Sequence, residues 1–186
     1  MFEKNKIRTF LNCAALVVLA VAGCSAQVIN SAARPISLNA TLQESVTVTL
    51  SANAVNFTLT AGSPNNPGST AITATTSWTL RPSIGSVSVY AFFATSAAAL
   101  TDGAGSNIPS SAFLISNNGG GFLPLTNTVP FGGANAGLRL SNIRILGNNR
   151  TGTHNDLMNF NIDLSGVPNL PPGLYTGTLT IQAQAI

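Results

Sequence analysis

Tyr175-Thr176-Gly177-Thr178-Leu179-Thr180-Ile181-Gln182-Ala183-Gln184-Ala185 places Tyr175, Leu179, Ile181, Ala183 and Ala185 on odd positions, with Gly177 the exception, and Thr or Gln on every even one. A period of two sustained over eleven residues describes extended chain with one face buried and the other wet. Working back from this segment, the same period recurs. Met158, Phe160, Ile162 and Leu164 alternate with Asn and Asp, and Ile72, Ala74, Thr76, Trp78 and Leu80 form another series. Val87 to Phe93 is a β-branched and aromatic run, Ala112 to Ile115 is a short apolar segment, and Leu138, Leu140, Ile143 and Ile145 make a further patterned stretch.

Near the start of this region Ile36, Leu38, Ala40, Leu42, Val46, Val48 and Leu50 fall on even numbers, with Glu44 the exception. Val55, Phe57 and Leu59 are odd, so the chain must bend between Ser51 and Ala54. Gly, Pro, Asn and Ser cluster at 61–69, 101–111, 116–121 and 147–152, where proline removes a ladder donor and glycine supplies turn conformations. Seven to nine short strands without an amphipathic helix predict an all-β fold, an antiparallel β-sandwich.

The chain of 186 residues is 45% apolar and only 7% charged. Its formal charge of +3 is concentrated at the start, where Lys4, Lys6 and Arg8 precede the apolar run Ala14 to Ala22 and the small residues Gly23-Cys24-Ser25-Ala26. That is the layout of a secretory signal, and the run is too short to span a bilayer. Two exits fit. Val21-Ala22-Gly23-Cys24 resembles a bacterial lipobox, in which Cys24 would carry a lipid; cleavage after Ala26 is the other. Either way residues 1–26 read as a signal peptide, 27–45 as an extended segment and 46–186 as the sandwich domain. Beyond residue 26 stand five arginines, four carboxylates and no lysine or cysteine. Such a chain lacks the cation cluster that a nucleic-acid face requires and must hold its core without disulfides.

No residue pattern points to a catalytic centre, a cofactor or a metal. His154 is the single histidine; with Asp156 two residues on it suggests a Ser-His-Asp arrangement, but no Gly-x-Ser-x-Gly elbow accompanies it, and its place beside a turn reads as solvated loop. One histidine supplies no zinc site, and Asp102, Asp156 and Asp163 are too dispersed for a calcium loop. The sequence therefore predicts no enzyme. Tyr90 and Phe92 share a face opposite Val87, Val89 and Phe93, so this strand is either covered on both sides or offers a surface for binding.

Pro171-Pro172-Gly173-Leu174-Tyr175-Thr176-Gly177-Thr178-Leu179-Thr180-Ile181 resembles the closing segment of bacterial spore coat U domain and chaperone-usher pilin-type proteins, and the stretch from Ala40 to Leu59 suits their early strands. Two departures stand out: the family's cysteine pair is missing, and the penultimate residue is Ala185 where pilins favour tyrosine. The resemblance implies an incomplete immunoglobulin-like sandwich completed by a partner's strand. In that scheme Ile36, Leu38, Ala40 and Leu42 form a donor strand, and Tyr175, Leu179 and Ile181 belong to the exchanging region. The expectation is an exported bacterial surface subunit, structural or adhesive, that pairs strands with itself or related subunits. The alternative is a lipid-anchored envelope module that binds carbohydrate through Tyr90 and Phe92, touching the membrane only through Cys24.

Overall fold

A computed structural model describes residues 30–186, so the signal segment and Cys24 lie outside the described residues. Two units are distinguished, with the boundary between Thr41 and Leu42. In the first, residues 30–41 form neither helix nor strand and every residue is exposed. The second, residues 42–186, is an antiparallel β-sandwich.

Its strands are β1 (Ser45–Leu50), β2 (Asn66–Pro67), β3 (Ile72–Thr79), β4 (Ser86–Phe92), β5 (Leu100–Thr101), β6 (Asn107–Ile108), β7 (Phe113–Asn117), β8 (Leu123–Pro124), β9 (Gly137–Arg144), β10 (Thr151–Ile162) and β11 (Thr180–Ala185). One sheet runs in the order β1-β3-β10-β7-β8, with β2 beside β10; the other is β11-β4-β9, and β5 and β6 form a small hairpin. Strand β10 serves three neighbours. It pairs with β3 from Thr151 to Met158, with β7 from Met158 to Ile162 and with β2 at Asn161 and Ile162.

Alternation builds the interior directly. Ile72, Ala74, Thr76 and Trp78 of β3 are buried while Thr73, Thr75, Ser77 and Thr79 are only half-covered. Ile72, Ala74, Ala91, Phe93, Phe113, Ile115, Leu138, Met158, Phe160, Ile162 and Leu164 belong to the larger core cluster, and Trp78, Leu80, Val87 and Ile145 to a smaller one. Phe113 sits at the centre of an aromatic group, its ring centroid 5.2 Å from Phe93, 5.8 Å from Phe57 and 5.9 Å from Phe160. Such rings contribute buried area and edge-on contacts together.

Four expectations change. The alternation of residues 36–44 yields no strand; β1 begins at Ser45, just after Glu44 accepts the Arg81 N–H at 2.8 Å and pairs with its Nε at 3.5 Å. Val55, Phe57 and Leu59 face the core without joining a ladder, apart from one bridge between Phe57 and Gly68. The closing strand starts at Thr180 and not at Tyr175, because β4 stops at Phe92; before it only Thr176 is bridged, to Thr101. Finally, His154 is in β10, not in a loop: the strand begins at Thr151 and turns His154, Asp156 and Met158 to the interior. In β9 a β-bulge interrupts the pattern: Val89 stands opposite Ser141 and Tyr90 opposite Arg139, leaving Leu140 without a partner, so that the apolar positions change from even to odd between Leu140 and Ile143.

Candidate functional site

Strands β1 and β11 end their respective sheets, and beyond Leu50 and before Thr180 the chain leaves both ladders. Between these two irregular segments the core is uncovered. A groove of about 810 Å³ opens there, walled on one side by Val55, Phe57 and Leu59 and on the other by Leu174, Tyr175 and Leu179, and floored by core residues including Ile72, Phe113 and Phe160. Its volume is that of a ligand cleft.

Each wall is hydrogen-bonded along one edge. On the first, Asn56 accepts the Ser69 N–H at 2.8 Å and Phe57 bridges Gly68. On the second, Thr176 and Thr101 exchange reciprocal backbone bonds of 2.9 Å. This second wall is pressed so close that a Cβ on Gly177 would lie 2.0 Å from the Ala99 carbonyl oxygen, which excludes any other residue without displacement. The Tyr175 hydroxyl donates to the Pro171 carbonyl at 2.9 Å and closes the Pro171–Tyr175 turn. No backbone hydrogen bond joins residues 51–59 to residues 174–179 among the described residues. The walls thus bring half-buried Val55, Phe57, Leu59, Tyr175 and Leu179 and the exposed Leu174 around one opening, with no ladder joining the two segments, an arrangement with room for an extended segment.

The structure brings Tyr175, Leu179 and Ile181 together in this groove. It leaves Ile36, Leu38 and Leu42 exposed at 84%, 90% and 84%, and Ala40 is exposed as well. Tyr90 and Phe92 lie elsewhere, on the outer face of the three-stranded sheet. Tyr90 is 7% exposed, with the Phe131 ring edge-on against it at 6.0 Å, and Phe131 also meets Phe92 at 5.8 Å. Sequence reasoning missed this cover because Phe131 falls in the irregular stretch 128–136, where no periodicity assigns a face.

A second constellation occupies the interior along the strands between the two core clusters. Asp156 is wholly buried. Its Oδ1 accepts from Asn117 Nδ2 at 2.7 Å and its Oδ2 from Ser141 Oγ at 2.9 Å, and His154 Nε2 lies 3.4 Å from Oδ1. Thr76, opposite His154 on β3, is also wholly buried, and its hydroxyl has no protein partner. The serine here bonds the carboxylate and not the imidazole. A nucleophilic serine needs the histidine next to it as proton acceptor, with the acid behind; the order here is reversed, and the cluster instead ties β10 and β7 to β9.

Two carboxylates near the surface are held below their ordinary range by local hydrogen bonds: Asp102 chiefly by the Ala104 N–H, and Asp163 chiefly by the Ser165 hydroxyl. Among the described residues there is no cluster of three metal-ligating side chains, and no helix is long and apolar enough to cross a membrane. No family model matches the chain, and no curated protein matches it.

Proposed function

We propose that this chain is a structural or adhesive subunit of a bacterial surface that joins its neighbours by β-strand pairing, the groove being the acceptor and residues Ile36 to Leu42 of a second copy the donor. The observation that carries this reading is the apolar groove between two segments that no backbone hydrogen bond joins. The donor is chosen by complementarity. Ile36, Leu38, Ala40 and Leu42 alternate, the three larger ones are almost fully exposed, and seven extended residues reach roughly 23 Å. Each large aliphatic side chain buried in the groove would contribute about 1.5–3 kcal/mol. Low charge supports the same reading, since few charged side chains stand on the strands to discourage pairing. Export through residues 1–26, whether released after Ala26 or lipidated at Cys24, would deliver the subunit to the cell surface.

A peptide of residues 34–44 added to the protein tests this. Binding is expected, weakened about tenfold or more by Leu38→Asp in the peptide and abolished by Leu179→Arg in the protein. A protein that stays monomeric at high concentration, ignores the peptide and is unchanged by deletion of residues 27–42 would overturn the proposal. Cys24→Ser, followed by membrane partition, separates the two modes of delivery.

A further inference from the structure

An open sheet edge invites strand addition, and at the far end of the sheet from β11 this sandwich has another: β9. It is eight residues long, with apolar Leu138, Leu140 and Ile143. Its backbone is nevertheless engaged at three points besides the β4 ladder. At one end Asn127 and Gly137 exchange backbone bonds of 2.8 and 2.9 Å. At the other, Asn149 Nδ2 donates to the Arg144 carbonyl at 2.8 Å. In the middle lies the bulge, and there Asn117 Nδ2 donates both to the Leu140 carbonyl at 3.0 Å and to Asp156 at 2.7 Å. The next residue, Ser141, is held from the interior by the other oxygen of the same carboxylate.

Burying a carboxylate is costly unless donors surround it, and apolar residues would fill that space at less expense in free energy. What Asp156 does that a leucine would not is fix two consecutive residues of the bulge. We propose that Asp156, Asn117 and Ser141 form an edge guard, whose removal straightens β9 at Leu140 and turns it into a second, unwanted strand acceptor. This holds whether or not the groove takes residues 36–42. Bulges interrupt pairing and bend an edge away from a would-be neighbour, and this one is held by three polar residues from three different strands.

The test uses the full protein carrying Leu38→Asp, which removes the proposed donor and with it any association through the groove. Asn117→Ala together with Ser141→Ala is introduced, and folding is verified from Trp78 emission and near-ultraviolet circular dichroism. Sedimentation velocity is expected to show concentration-dependent association absent from the parent, and amide exchange at Ser141, opposite Val89 at the bulge, to accelerate at least tenfold. Adding Asn142→Pro, which removes an N–H facing away from β4, is expected to restore the monomer, whereas association through general unfolding would persist. A folded double variant that stays monomeric with unchanged exchange, or association indifferent to Asn142→Pro, would overturn the proposal. Should the double variant not fold, Asn117→Ala alone keeps the Ser141 bond to Asp156 and is judged by the same measurements.

Discussion

The rings of Tyr90 and Phe131 meet edge-on, with centroids 6.0 Å apart and planes at 74°. A loop residue thereby covers an aromatic strand that would otherwise face water. Phe131→Ala is expected to destabilise the fold by about 1–3 kcal/mol, below the value for a fully buried phenylalanine because Phe131 is only half-buried. The urea midpoint measures this. If Tyr90 is a glycan contact, the same variant gains retention on a glycan array; if it is packing alone, the variant loses stability and gains nothing.

Asp156→Ala leaves the donors of Asn117 and Ser141 without their acceptor inside the sandwich. The expected loss is about 2–6 kcal/mol, from about 1–3 kcal/mol for each neutral donor left unpaired, read from chemical denaturation with Trp78 emission as probe. Trp78 suits the purpose, being 5% exposed with its indole N–H donating to the Asn149 carbonyl at 2.8 Å.

Gly177→Val would force the second groove wall away from Ala99, since even a Cβ meets the carbonyl oxygen at 2.0 Å. Loss of stability by more than about 1 kcal/mol is expected, in the range of overpacked sites. Peptide affinity for the groove should fall further than that of a variant equally destabilised at a distance, and comparing the two isolates the wall's effect on binding.

Acid should weaken the fold through Asp102 and Asp163. Both are held below the ordinary value of 3.8 in the folded chain, so the unfolded chain binds protons first as pH falls. Their contribution is present above pH 3.8 and is lost as pH drops through the folded values. Urea midpoints from pH 5 to pH 2 should therefore decline, and Ser165→Ala should flatten the part due to Asp163.

The sandwich was legible because burial follows alternation. Thr76 was already readable as an inward residue of the series from Ile72 to Leu80, whereas the bulge at Leu140 shows only once β9 is paired with β4. What the sequence did not disclose depended on pairing between distant segments. Tyr175 and Leu179 alternate as well as Ile181 does, yet only from Thr180 does β4 offer a partner. His154 looked like a loop residue because polar inward positions erase the period on which the reading relies. The groove's lining residues were visible as apolar positions, but that they leave a gap depends on which edges lack a neighbour, a relation no single strand records.

An uncovered seam in a hydrophobic core also alters what a melting temperature means for this molecule. Any occupant that binds the folded chain and not the unfolded one raises the apparent melting point by mass action. Heat resistance would then depend on how crowded the subunits are: dilute protein would melt early, and the same chain packed on a surface would endure.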